Sequence, residues 1–160
     1  MGMSLTKTGD WKRAGVVLKG INTKLSPTIK GQLLSDGQFI LQKLQSHIDS
    51  QDLGWSPLSE KTIELKNGDD TIYIETGYLR GNLSVRKVKS SSKDTVYFIG
   101  ASAWKKHPSG VKFSDLMIWL EYGTNKQPPR PLIRPTFDEV NDLLKSNWLK
   151  TVLNFIRNGG

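Results

Sequence analysis

Apolar residues recur three or four positions apart through the first third of the chain, the spacing of one face of an α-helix. Ser26 and Pro27 interrupt this stretch with residues typical of a helix N-cap and first turn, so either a second helix starts there or the first helix kinks. The apolar positions are Trp11, Ala14, Leu18, Ile21 and Leu25, then Ile29, Leu33, Ile40, Leu44 and Ile48. We expect residues 10–50 to be helical and the polar residues 1–9 to be disordered.

The middle of the chain combines short segments of different periodicity. Ser56-Pro57 repeats the helix-start signature, and Asn67-Gly68 should end the short helix that follows it. Residues 71–75 are rich in β-forming side chains and predict a strand. Thr76 is placed to cap the single helical turn after that strand.

Two β-rich segments separated by a polar turn predict a hairpin at about residues 84–100. Leu83 and Val85 point to one face, whereas Arg86 and Lys89 break the alternation near the turn. The small antiparallel sheet built on this hairpin is expected to have three or four strands and an open edge.

A helix over residues 114–122 precedes a proline-rich segment. Ser114 is a good N-cap for this helix, and Gly123 can end it because glycine has no Cβ to oppose a left-handed conformation. Its expected buried side consists of Leu116, Trp119, Leu120 and Tyr122.

Pro128, Pro129 and Pro131 exclude a central strand, because proline cannot donate to a sheet ladder. We expect the backbone of this segment to be unpaired. Pro135 suits the first position of a last helix, over residues 135–157, with Asp138 and Glu139 facing the positive end of its dipole. The segment fits a rigid linker, a docking surface or, from its PxxP spacing, an SH3-type ligand.

The elements together predict an α+β fold with long N-terminal helices, a small antiparallel sheet and two C-terminal helices. A chain of 160 residues fits a single domain, with residues 10–50 as its helical N-terminal part.

Composition adds a strong positive charge. The formal net charge of +8 suggests an acidic partner, such as nucleic acid or an acidic protein face. The chain has no cysteine, so neither a disulfide nor a cysteine-ligated metal site is expected. No apolar run approaches the roughly 20 residues that span a bilayer, and we expect no membrane contact.

Neither histidine has a second metal ligand at short spacing, so no metal or cofactor is expected. His47 is predicted to be a partly exposed helix residue. A nuclease site from His107, Asp115 and Glu121 is disfavoured, because residues six apart on a helix point about 240° apart. The sequence therefore predicts a protein that is not an enzyme.

Nucleic-acid binding is the alternative function that the charge favours. The basic residues of the hairpin and the loop after it are Arg86, Lys87, Lys89, Lys93, Lys105, Lys106 and Lys112. Tyr97, Phe98 and Trp104 lie among them, and single-strand binders combine such cations with aromatic rings. The competing interpretation is that an aromatic ring faces the core and the lysines form a solvated rim.

Four short pieces in order resemble the virion-morphogenesis proteins of long-tailed double-stranded DNA phages, which are tail-completion or head–tail connector (neck) proteins. The pieces are Trp55-Ser-Pro57-Leu58, Thr76-Gly77-Tyr78-Leu79, the strand ending at Gly100, and Glu121-Tyr-Gly-Thr124 with Pro128-Pro-Arg-Pro-Leu-Ile-Arg-Pro-Thr-Phe137. The match covers roughly residues 55–157.

The resemblance implies a non-enzymatic structural protein, made in the host cytoplasm and located in the virion at the tail end or the head–tail junction. Its implied partners are other copies of itself, often in a ring, and tail-tube or head-connector proteins. A ring needs heterologous contacts, in which one patch meets a different patch on the next copy. As a hypothesis we assign interfacial salt bridges between subunits to Arg80, Arg130 and Arg134, with Trp119 and Tyr122 packed behind them.

Overall fold

The computed structural model describes residues 11–74, 76–91 and 94–157, without the side chains of residues 11–24. The elements of this part are α1 (Trp11–Ser50), α2 (Glu60–Leu65), α3 (Tyr78–Gly81), β1 (Leu83–Ser90), β2 (Thr95–Ala101), α4 (Phe113–Tyr122) and α5 (Ile133–Arg157). The predicted α+β class is confirmed, with a hairpin between long terminal helices. Residues 1–9, for which disorder is predicted, lie outside the described residues.

The first helix is continuous. α1 runs for 40 residues with Pro27 inside it, so of the two predicted alternatives that of a second helix starting at Ser26 is wrong. Proline removes one N–H donor from the helical ladder, and here the helix continues on both sides of that gap. At 1.5 Å per residue, α1 is about 60 Å long.

Antiparallel packing of α5 on α1 is fixed by polar contacts at two levels. Lys43 Nζ lies 2.5 Å from Glu139 Oε1, and the Thr151 hydroxyl donates to Gln32 Oε1 at 3.1 Å. Residue numbers therefore rise along α1 as they fall along α5.

The hairpin packs on α1 where that helix is narrowest. A Cβ added at Gly37 would lie only 3.0 Å from Val85 Cγ1 and 3.8 Å from Ile99 Cδ1, so glycine permits the close approach. The strands are antiparallel, and their register shifts between Lys87 and Lys89. This shift confirms that the alternation breaks near the turn.

The sheet of the described residues has two strands rather than three or four. Residues 71–74 bend instead of forming the predicted strand. The Gln51 side chain explains this, because it accepts from the Ile72 N–H at 2.8 Å and donates to the Ile72 carbonyl at 2.8 Å. It thereby occupies both groups that a neighbouring strand would need. Tyr73, with φ of 68°, then turns the chain.

Helix starts differ from the predicted ones by one to three residues. Ser59, not Ser56, caps α2, since its hydroxyl accepts from the Thr62 N–H at 3.3 Å. The N-caps of α3 and α4 are Gly77 and Lys112, neither with a side-chain cap, instead of Thr76 and Ser114. A cap works only where the chain enters the helix, and tertiary packing sets that point. The predicted end of α2 at Asn67-Gly68 is confirmed, with φ values of 56° and 89° there.

The core lies where α1, α4 and α5 meet the segment 72–83. Its buried apolar residues are Ile40, Leu44, Ile48, Ile72, Tyr73, Leu79, Leu83, Ala101, Phe113, Met117, Leu132 and Val140. Among the described residues, no helix is long and apolar enough to cross a membrane.

Candidate functional site

The carboxylate of Glu121, at the end of α4, caps the start of α5. Its Oε2 accepts from the backbone N–H groups of Leu132 at 2.7 Å and Ile133 at 2.9 Å, and its Oε1 accepts from that of Arg134 at 3.0 Å. A helix start leaves these donors without intrahelical partners, and the next residue, Pro135, has no N–H at all. The helix dipole also favours a negative charge there. Glu121 is 9% exposed, so this cap is largely shielded from water.

The cap explains why α5 starts earlier than predicted. Ile133 is its first residue and Pro135 its third, and no acidic residue lies in its first turn. Asp138 and Glu139, expected to face the positive end of the dipole, are replaced in that role by Glu121 of the preceding helix.

The backbone of the proline segment, residues 124–132, forms hydrogen bonds, so the prediction of an unpaired backbone is wrong. The Arg130 N–H donates to the Leu120 carbonyl at 2.6 Å, and the Arg130 carbonyl accepts from the Tyr73 hydroxyl at 2.7 Å. The Pro131 carbonyl accepts from Trp55 Nε1 at 2.6 Å. Side chains from distant parts of the chain therefore provide the partners that proline cannot find in a sheet.

Arg130 is buried inside the fold of the chain. Its guanidinium donates from Nε to the Ser56 carbonyl at 2.8 Å and from Nη2 to the Pro57 carbonyl at 2.9 Å, and the residue is 5% exposed. The predicted intermolecular salt bridge of Arg130 does not fit this placement. The side chain instead ties the proline segment to the loop before α2.

Tyr73 also contacts the residues around the proline segment. Its ring lies 4.9 Å from that of Trp55, centroid to centroid. Burial, and then the nearby Glu121 charge, raise the pKa of the Tyr73 phenol, so this hydroxyl stays protonated and donates to the Arg130 carbonyl.

Gly123 permits the tight turn from α4 into the proline segment. Its φ is 75°, and an added Cβ would lie 2.8 Å from the Pro129 nitrogen. Both facts require glycine at the predicted end of α4.

An exposed apolar surface, which we call the α4–α5 corner, lies directly over the Glu121 cap. It surrounds a groove of about 390 Å³ and includes Ile118, Tyr122 and Phe137 with the exposed Arg134. Tyr122 is 78% exposed and Trp119, one turn earlier, is 41% exposed, so the prediction that both lie on the buried side of α4 is wrong. The buried side is Phe113, Met117 and Glu121.

A second pocket, of about 360 Å³, lies on the other side of Trp119. Its lining includes the aromatic residues Tyr73, Tyr78 and Trp119, together with Lys66 and Thr71. Asp69 holds Thr71 in place, since its Oδ1 accepts from the Thr71 N–H at 2.9 Å and the Thr71 hydroxyl at 2.6 Å. The two Thr71 bonds, with Lys66 as a weaker contributor, lower the pKa of Asp69 to about 2.

Arg80 already has a partner within the chain. Its Nε and Nη2 lie 2.6 and 2.5 Å from the two carboxylate oxygens of Asp49, near the end of α1. The hydrogen bond from Arg80 is the main cause that lowers the pKa of Asp49. The assignment of Arg80 to a contact between copies of the chain stays a prediction. Such a contact has to involve a guanidinium that is already bonded to Asp49.

His47 is buried between two carboxylates, so the prediction of a partly exposed residue is wrong. Its Nδ1 lies 2.7 Å from Asp52 Oδ1 and its Nε2 lies 2.9 Å from Glu139 Oε2. Both contacts are hydrogen bonds to ionised carboxylates only if the imidazole carries two protons. The arrangement links α1 to α5 and to the loop after α1.

The predicted basic residues are exposed wherever the structure describes them, namely at Arg86, Lys87, Lys89, Lys105, Lys106 and Lys112. Lys93 lies outside the described residues. Phe98 faces outward with the Arg86 guanidinium 5.7 Å from its ring centroid, whereas Tyr97 is half-buried on the opposite face. Lys89 pairs with Asp94.

Helical spacing contained the signal for the two buried polar groups that the sequence analysis misplaced. Glu121 follows Phe113 and Met117 at intervals of four, so all three share one face of α4. His47 likewise shares the α1 face of Ile40 and Leu44. A charged residue in register with core residues has to find polar partners, and both do.

Within residues 11–74, 76–91 and 94–157, no group of three or more His, Cys, Asp or Glu side chains is placed to hold a metal ion. The structure is thus an α+β fold with two exposed aromatic surfaces, the α4–α5 corner and the 360 Å³ pocket beside Trp119. The buried hydrogen bonds of Glu121 and Arg130 hold the segments that carry them. The chain matches no protein-family model, no curated protein and no solved structure.

Replacement of Glu121 by alanine should lower the free energy of unfolding by about 2–3 kcal/mol, because three backbone donors at a buried helix start would have no acceptor. Urea unfolding followed by circular dichroism measures the effect. Glu64→Ala, on the exposed face of α2, is the control and should change the free energy by less than about 0.5 kcal/mol. Equal stability of the two variants would contradict the cap.

Acid should selectively remove the contribution of Asp69. Its folded pKa of about 2 lies below the ordinary value of 3.8, so the ionised group stabilises the fold above pH 3.8 and this contribution is lost as the pH falls towards 2. The stability difference between wild type and Asp69→Asn should therefore be largest at about pH 5 and shrink steadily below pH 3.8. Urea titrations across that range measure it, with Asp70→Asn as the exposed neighbouring control. A difference that does not vary with pH would refute the assignment.

Proposed function

We propose that the chain is a structural subunit of a long-tailed double-stranded DNA phage virion, which completes the tail or joins it to the head. It acts by contacts with other copies of itself and with tail-tube or head-connector proteins, and it is not an enzyme. Its place in the virion is the tail end or the head–tail junction.

The first and last of the four pieces that carry the resemblance to the virion-morphogenesis proteins contact each other. Trp55, from the first piece, donates its indole N–H to the carbonyl of Pro131 in the last piece. This bond supports treating these two pieces as parts of one unit.

The observation that carries the proposal is the α4–α5 corner. Ile118, Tyr122 and Phe137 leave large apolar surfaces in water around one groove. Such patches mark sites of protein contact, because covering them releases free energy that the isolated subunit does not gain. The Glu121 cap beneath holds both helices in place, so little conformational freedom has to be lost on docking.

The hairpin offers a different surface for the other half of a heterologous contact. Val88 and Val96, near its turn, are exposed, and both strands of the two-stranded sheet have an unpaired edge within the described residues. Unlike patches on one subunit allow head-to-tail contacts, and such contacts close into a ring when the rotation between copies permits.

Of the predicted interface residues, Trp119, Tyr122 and Arg134 remain in the proposal because they are exposed at or beside the corner. Arg130 is left out because its guanidinium is bonded inside the subunit.

Tyr122→Ala and Arg134→Ala should fold normally and yet fail in assembly. In phage that lack the native chain and are complemented with each variant, we expect infectious particles to fall by about tenfold or more, the effect of removing an interaction worth about 1.4 kcal/mol. Electron micrographs should show heads and tails that are incomplete or not joined.

Leu65→Ala is the matched control, because Leu65 is 77% exposed but lies on α2, away from the corner. It should support wild-type yields, and circular dichroism checks that all three variants are folded. Wild-type yields from both corner variants would refute the proposed role of this surface.

A further inference from the structure

The loop between β2 and α4, residues 102–112, holds a tryptophan in water. Trp104 is 82% exposed, the largest exposed fraction of any aromatic residue in the described part of the chain. We call this segment the Trp104 loop. Leaving an indole uncovered has no structural benefit for the subunit, since the ring gives up the burial that stabilises most aromatic residues.

The Trp104 loop has a defined shape. The His107 N–H donates to the Val111 carbonyl at 2.7 Å, and the Phe113 N–H donates to the Lys105 carbonyl at 3.1 Å. A β-bridge between Lys106 and Lys112 joins the two arms of the loop. Trp104 directly precedes Lys105, the first of these hydrogen-bonded residues. Its position is therefore set by the fold.

Three lysines share the loop with this indole. Lys105, Lys106 and Lys112 reach solvent, none forms an ion pair with a described residue, and the loop contains no acidic residue. The nearest acid along the chain is Asp115, whose carboxylate accepts from the Ser114 hydroxyl at 3.2 Å. Three such ammonium groups in the same loop as an exposed ring attract a polyanion that also has flat faces.

The surface continues from the loop into the hairpin, where β2 carries the outward-facing Phe98 with the Arg86 guanidinium beside its ring. The 360 Å³ pocket that His107 lines does not extend it, because Lys66 there is paired with Asp69 and the Arg130 guanidinium is bonded to two backbone carbonyls. Cations and aromatic faces thus recur from the hairpin to the loop.

We propose that the Trp104 loop binds single-stranded nucleic acid, with Trp104 stacked on a base and Lys105 and Lys106 in contact with phosphates. This function goes beyond the assembly role and uses different residues from the α4–α5 corner. An unpaired base offers a free face to the indole, whereas the bases of a duplex are stacked on one another. An acidic protein face would satisfy the lysines and leave the indole without a partner.

The test is a fluorescence-anisotropy titration of a labelled oligothymidylate with the full chain at several salt concentrations. Trp104→Leu should weaken binding about 10- to 100-fold, because leucine keeps an apolar side chain but offers no face for stacking. Trp104→Phe should recover most of the affinity. Because Trp104 is exposed, each variant should keep the wild-type circular dichroism spectrum.

The lysines are tested by the salt dependence. Replacing Lys105 and Lys106 together by alanine should reduce the slope of log K against log salt concentration by about 0.7 for each phosphate that the variant no longer neutralises. Lys145→Ala with Lys150→Ala, two exposed lysines of α5, should leave that slope unchanged. An unlabelled duplex of the same length should compete less well than the single strand.

Absence of binding at low salt would overturn the proposal, and so would equal affinity of wild type and Trp104→Leu. Tighter binding of the duplex, or of heparin, would mean that the loop binds anions without preference for unpaired bases. This result would also overturn the proposal. None of these outcomes bears on the assembly assay, in which the Trp104 loop is not varied.

Discussion

One buried carboxylate at a helix start holds the C-terminal half of this protein together. Glu121 ends α4, yet its oxygens accept the first free N–H groups of α5, so the two helices cannot separate without leaving donors unpaired. The chain between them has to make its turn within a fixed span, and Gly123 allows it to do so. Rigidity of the α4–α5 corner follows from this constraint.

Local patterns predicted the hairpin and the terminal helices, because their signals lie within a few neighbouring residues. The bonds that decide the site join residues far apart in sequence, such as Trp55 with Pro131 and Tyr73 with the Arg130 carbonyl. Proline content correctly excluded a strand for this segment but suggested an unpaired backbone, since no local residue was able to supply the donors. The burial of Glu121 was implied by its spacing from Met117.

Several polar side chains of this chain are buried and several aromatic side chains are exposed, which reverses the usual arrangement. Arg130, Glu121 and His47 are buried and bonded, whereas Trp104, Tyr122 and Trp119 face water. Buried polar bonds make the scaffold specific, and exposed rings on a rigid scaffold are suited to binding. The two proposed contacts, with other copies of the chain and with nucleic acid, use separate residues and are therefore compatible in one molecule.

Amide hydrogen exchange at the start of α5 tests the central claim most directly. With the Glu121 cap in place, the N–H groups of Leu132, Ile133 and Arg134 should exchange slowly in the native protein, although a helix start normally leaves such groups unprotected. In Glu121→Gln their protection should fall selectively, while amides in the middle of α5 keep theirs. Fast exchange of these three amides in the native protein would contradict the account.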